Sequence, residues 1–179
     1  MKALVLMGVS GSGKTTIGQL LASQTGGTFL DGDDFHPPEN VAKMSSGIPL
    51  TDADRQGWLE KLATLIREAQ PNTFTIIACS ALKASYREIL KDAEFGFLTG
   101  SPELLTERLQ QRKDHYMPPG LLQSQLDALE IPTEALTLDV RKSPSAIVSK
   151  IRAHFKLWGT ANSHTPPPCT TPPGDCNSS

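Results

Sequence analysis

The chain has 179 residues, a formal net charge of -2, and 38% hydrophobic and 20% charged residues, enough for one domain with a substantial core. Nothing in this balance points to nucleic acid or an anionic membrane surface as the main partner, and no apolar run approaches the roughly 18 residues of a membrane span. Cys79, Cys169 and Cys176 are an odd and poorly spaced set, so neither a disulfide framework nor a zinc site is expected, and a reducing cytoplasm fits best.

Ala3-Leu4-Val5-Leu6-Met7 reads as a short buried strand. Gly8 and Ser10 interrupt the apolar run before it could form a signal core. The stretch Gly8-Val9-Ser10-Gly11-Ser12-Gly13-Lys14-Thr15 then matches G-x-x-x-x-G-K-[ST], the phosphate-binding loop. Behind it Ile17, Leu20 and Leu21 fall at helical spacing, so the motif has the strand–loop–helix setting that gives it meaning. Glycines 8, 11 and 13 admit backbone angles closed to residues with a Cβ. Successive N–H groups can then form an anion nest at the positive end of the helix. Lys14 is expected to reach the β- and γ-phosphates of ATP, and the Thr15 hydroxyl to ligate Mg²⁺. Thr16 completes the expected ATP-binding set.

The first helix is expected from Gly13 or Lys14 to about Gln24, with Gly26-Gly27 ending it. Thr28-Phe29-Leu30 reads as a second strand that delivers Asp31-Gly32-Asp33-Asp34 at its carboxyl end. Ligands in open α/β sheets bind beyond the carboxyl ends of strands, although an acidic surface turn is the bland alternative. A short helix follows His36-Pro37-Pro38, with Pro near its first turn. Thr51-Asp52 caps a longer helix, whose stripe of Trp58, Leu59, Leu62, Leu65 and Ile66 reads as core packing. Arg55 lies near that helix start, where a cation opposes the dipole. Local stability does not explain it, which makes it an anion-binding candidate; a solvated Arg is the alternative.

Phe74 to Ala78 reads as the third strand, running into Cys79-Ser80-Ala81-Leu82-Lys83. No Asp stands at its end, so the acidic cluster after the second strand has to supply the second Mg²⁺-positioning carboxylate. Another helix passes through Tyr86, Ile89 and Leu90, and Phe95 to Thr99 forms a fourth strand. Ser101-Pro102-Glu103 opens a helix carrying Arg108 and Arg112 one turn apart, followed by His115 and Met117-Pro118. A solvated basic helix end and a mobile lid over about 108–120 both fit that stretch; the phosphate loop tips the choice towards a lid. A further helix from Leu121 ends near Glu130-Ile131-Pro132, and Ala135 to Leu138 reads as a fifth strand. Ser143-Pro144 caps a final amphipathic helix with Ile147, Val148, Ile151, Phe155 and Trp158. Residues 1–158 are therefore expected as one domain, and the Pro/Thr-rich residues 159–179 as a disordered tail.

Five strands alternating with helices predict an α/β fold with a parallel sheet covered on both faces. At this size the layout resembles the P-loop small-molecule and nucleoside-monophosphate kinases, whose strand order is 2-3-1-4-5. Within that group several motifs resemble the gluconokinase family in order: Met7 to Thr15, Asp31-Gly32-Asp33, His36-Pro37, Asn40, Lys43-Met44, Gly47, Pro49-Leu50, Asp52 and Asp54-Arg55. Cys79 to Lys83, Tyr86-Arg87, His115 with Met117-Pro118, Leu121-Leu122, Ser124-Gln125 and Leu129-Glu130 continue the series. The likeness spans Lys2 to Trp158. Gly57 stands where that family usually has Pro, and the tail has no counterpart.

The resemblance implies transfer of the ATP γ-phosphate to the 6-hydroxyl of D-gluconate, feeding the pentose phosphate pathway. It implies that Thr15 with Asp31 holds Mg²⁺, that Asp33 orients the substrate hydroxyl and accepts its proton, and that Arg55 pairs with the gluconate carboxylate. His36 and Lys83 become substrate contacts. Arg112, with Arg108 and His115, would close over the phosphates, and adenine would pack near Arg108 and residues 140–142. A homodimer is implied by the resemblance alone. A shikimate or nucleoside-monophosphate kinase and a non-catalytic ATP-binding module are the rival readings. Cys79 to Lys83, in place of a glycine triplet, speaks against shikimate; Asp33 and Arg55 speak against a module.

Overall fold

The structure is a computed structural model that describes residues 2–70, 73–111 and 119–157. The expected tail over 159–179, Trp158, and the section of the expected lid holding Arg112 and His115 lie outside the described residues. The first strand, β1 (Ala3–Met7), leads through the phosphate loop into α1 (Lys14–Thr25). After β2 (Thr28–Asp31) come a 3₁₀ turn (Gly32–Phe35), α2 (Pro38–Ser45) and α3 (Asp52–Glu68). The chain continues through β3 (Thr75–Ala78), α4 (Ala84–Ile89), β4 (Glu94–Thr99), α5 (Pro102–Gln110), α6 (Pro119–Asp127), β5 (Leu136–Asp139) and α7 (Pro144–His154).

The five strands form one sheet in the order β2-β3-β1-β4-β5, and every pairing is parallel. The expected α/β fold and strand order are both present. β1, at the centre, is buried along its whole length, which accounts for its unbroken apolar run: a parallel sheet hides both faces. Alternation then divides its side chains. Leu4 and Leu6 face Ile17 and Leu21 of α1 and Ile147, Val148 and Ile151 of α7. Val5 and Met7 face Trp58, Leu59, Leu62 and Ile66 of α3, with Tyr86 of α4. Complete burial of one such Leu or Ile stabilises the fold by about 2 kcal/mol.

The capping residues work as the sequence suggests. The Thr51 hydroxyl accepts from the Asp54 N–H at 3.2 Å while the Thr51 N–H donates to Asp54 Oδ2 at 2.8 Å, a complete capping box. Ser101 and Ser143 each cap a helix that begins with Pro. The short 3₁₀ turn is the one element absent from the sequence reading. Asp31 makes it, because its carboxylate caps the turn by accepting from the Asp33 N–H at 3.2 Å. None of the helices among the described residues is long and apolar enough to cross a membrane.

Candidate active site

β1 and β2 both deliver their carboxyl ends to the same edge of the sheet. On the β1 side the loop turns through positive φ at Gly8 (143°), Gly11 (80°) and Gly13 (93°). A Cβ on Gly8 would stand 2.5 Å from the Leu98 carbonyl oxygen of β4, so glycine there serves close approach as well as conformation. Lys14 Nζ donates to the Gly8 and Val9 carbonyls at 3.0 and 3.2 Å. The Ser10 N–H and hydroxyl both meet the Gln125 carboxamide of α6. Thr16 is exposed beside Thr15, and Ser12 is buried with its hydroxyl unpaired.

α1 crosses β3 and packs on β2. It can do so because Gly18 presents no side chain: a Cβ there would sit 2.3 Å from the Phe29 ring. That approach carries Thr15 to Asp31, and the Thr15 hydroxyl donates to Asp31 Oδ2 at 2.9 Å. Two hard oxygen donors thus stand together at the mouth of the loop, a donor set suited to Mg²⁺. Among the described residues no group of three or more His, Cys, Asp or Glu side chains could hold a metal. A cation here would complete its shell with water and phosphate oxygens. An open cavity of about 360 Å³ beside the pair is lined by Thr15, Gln19, Asp31, Asp34 and Phe35.

Asp33 follows on the 3₁₀ turn, with 81% of its side chain open to water. Protein crowds the cleft around this water-exposed group, and that crowding first, then Asp31, raises its pKa while Lys14 pulls it down. His36 Nε2 lies 3.9 Å from Asp33 Oδ1. Its ring is 4% exposed and stacks on Trp58, with centroids 4.1 Å apart and planes at 17°. Burial lowers the His36 pKa, so the imidazole is neutral at pH 7. Little of it is left for a substrate to touch.

Trp58 does more than fill the core. Its indole N–H donates to the Gly32 carbonyl at 2.7 Å, which ties α3 to the turn carrying Asp33. The sequence held one signal for this: a buried indole needs a hydrogen-bond acceptor.

Arg55 has local partners that the sequence did not reveal. Its guanidinium donates to the Leu50 carbonyl and lies 5.9 Å from the Tyr86 ring centroid. Lys83 Nζ lies 5.7 Å from the same centroid and donates to both Asp52 carboxylate oxygens, at 2.8 and 2.7 Å. The Tyr86 hydroxyl also donates to Asp52. These bonds, Lys83 first, lower the Asp52 pKa, and Asp52 in turn raises that of Lys83. Two cations therefore flank one aromatic ring, and Lys83 is already committed to a carboxylate of this chain.

The loop between β3 and α4 is strapped in place. Ala81 takes a positive φ of 43°, and the Arg87 guanidinium donates to the Ala81 and Leu82 carbonyls at 3.1 Å each. The Glu130 N–H donates to the Leu82 carbonyl at 2.9 Å, and its carboxylate accepts from the Ala84 N–H. The Gly8 N–H reaches the Ser80 carbonyl at 3.3 Å, joining this loop to the phosphate loop. Cys79 is buried beneath it with its thiol pushed up to about 12, an unreactive position. On the far side, Arg108 donates to the Val140 carbonyl at 2.6 Å, so the two regions expected around adenine lie together.

The family model described as shikimate kinase matches residues 10–151. The gluconokinase of Gluconobacter oxydans is 44% identical over 161 residues, covering 86% of this chain and 90% of that protein. The thermosensitive gluconokinase of Escherichia coli is 46% identical over 136 residues, 73% of each chain. Among solved structures, a gluconokinase from Sinorhizobium meliloti superposes with a TM-score of 0.76 at 42% identity, covering 87% of this chain and 91% of that one.

Proposed function

The chain belongs to the gluconokinase family, and on that premise we propose that it transfers the γ-phosphate of ATP to the 6-hydroxyl of D-gluconate, giving 6-phosphogluconate. The observation that carries this reading is the pairing of the phosphate loop, through Thr15 and Asp31, with an exposed carboxylate at Asp33 on the same sheet edge. A binding module needs the first half of that arrangement and has no use for the second.

In this mechanism Lys14 and the loop from Gly8 to Thr16 bind the ATP phosphates. Thr15 and Asp31 would hold Mg²⁺, which would supply positive charge against the ATP phosphates. Asp33 orients the acceptor hydroxyl and takes its proton as the new O–P bond forms and the bond to the ADP oxygen breaks. Arg55 receives the gluconate carboxylate. Lys83 contributes positive potential from beside Tyr86, and His36 supports Asp33 from behind. Arg108 lies near the adenine, while Arg112 and His115 close over the phosphates. The reading extends to a homodimer in the cytoplasm, for which sedimentation is the check.

Coupled measurement of ADP release with gluconate, shikimate and AMP as rival acceptors tests the assignment. Turnover is expected with gluconate alone. Equal ADP release without gluconate, or activity only with another acceptor, would overturn it.

A further inference from the structure

Ser10 is the third residue of the phosphate loop, and it is gripped from outside the motif. Its N–H donates to Gln125 Oε1 at 2.7 Å, and Gln125 Nε2 donates to its hydroxyl at 3.1 Å. The partners are 115 residues apart in sequence. α6 is seated for this contact by Leu122, which is 5% exposed and belongs to the same core cluster as Val9 and Leu105.

The chemistry of the pair is selective. A carboxamide offers an acceptor and a donor side by side with no charge. Glutamate would keep the acceptor but place an anion beside a loop that must receive phosphate. The need for a tether follows from the loop's own composition, because glycines at 8, 11 and 13 lose much conformational freedom when the loop is ordered. Gln125 meets part of that cost before any ligand arrives. With the Ser10 N–H taken, the amides further along the loop remain for the anion.

We propose that Gln125 is a positioning residue for nucleotide binding, whose carboxamide holds the phosphate loop at Ser10 in the shape that receives ATP. This rests on reading Gly8 to Thr15 as the ATP loop, and not on the identity of the acceptor.

The test is titration calorimetry with Mg·ADP and no acceptor on wild type, Q125A, Q125E, S10A and the S10A/Q125A double variant, with thermal melts of each. Q125A is expected to weaken ADP binding about three- to tenfold, with its melting temperature close to wild type. Q125E should weaken it further. S10A should do less than Q125A, and the double variant no more than Q125A, because S10A breaks one of the two bonds that Q125A removes. Wild-type affinity in Q125A, fully additive losses in the double variant, or losses that only track the melting temperature would each overturn the proposal. Absence of ADP binding by the wild-type chain would instead overturn the reading of the loop. Failure of gluconate as acceptor, with these ADP effects intact, would leave Gln125's role standing.

Discussion

From Gly8 to Thr15 the phosphate loop is one contiguous run turned mainly by its own backbone and tethered from outside at Ser10, whereas the proposed acceptor side draws Asp33, Arg55 and Lys83 from three segments that side chains join. On the donor side the positive φ angles and the Lys14 bonds to Gly8 and Val9 all fall within the motif. On the acceptor side Trp58 fixes Gly32 from 26 residues away, and Lys83 reaches Asp52 across 31. Where backbone sets most of the geometry, a short sequence pattern is enough to find the site. Where distant side chains set it, each residue's position depends on packing elsewhere.

The contrast predicts that substitutions on the acceptor side change chemistry or gluconate binding while leaving the KM for ATP near wild type. Asp33→Asn is the largest such change: kcat should fall about 10²- to 10⁴-fold, the range for loss of a general base. Steady-state kinetics with both substrates decide it, and a near-normal kcat would remove Asp33 from the reaction. Arg55→Lys should raise the KM for gluconate about tenfold through loss of planar, two-pronged carboxylate geometry. An unchanged gluconate KM would mean that Arg55 serves only Leu50 and Tyr86.

Trp58→Phe keeps an aromatic ring against His36 but deletes the bond to Gly32. It should cost about 1 kcal/mol in stability and lower kcat severalfold by loosening the turn under Asp33. Denaturant melts beside kinetics separate the two effects, and loss of stability without loss of kcat would reduce Trp58 to a core residue.

The smallest effect concerns Asp54, which holds the α3 capping box and accepts from Lys43 Nζ at 2.6 Å. The Lys43 bond first, then the Thr51 bonds, lower its pKa to about 2. A carboxyl group lowered on folding stabilises the protein above its ordinary range near 4, and that contribution is lost as pH falls towards 2. Asp54→Asn should therefore lower the melting temperature by a few degrees at neutral pH and flatten its fall between about pH 4 and 2. An unchanged acid profile would show that Asp54 is not the titrating group. Kinetics for ATP should be unaffected.

Local pattern carried most of the architecture. The unbroken apolar run of β1, the Ser-Pro starts of α5 and α7, and the Thr51 cap each reflect physics acting within a few residues, so they could be read in order along the chain. The strand order came from resemblance to a known layout. The 3₁₀ turn after β2 was missed because it depends on one side-chain bond, from the Asp31 carboxylate to the Asp33 N–H.

The phosphate loop, the acidic cluster and Arg55 were visible in the sequence because their residue types suit phosphate, cation and carboxylate chemistry whatever lies around them. The resemblance implied that Thr15 and Asp31 share a site, and tertiary structure supplied the direct contact and its cause, α1 pressed onto β2 at Gly18. It also decided that His36 is shut against Trp58, that Lys83 is held by Asp52, and that Gln125 closes on Ser10. Each of those contacts joins groups whose distance is set by the packing of helices on the sheet, a quantity that no local pattern contains.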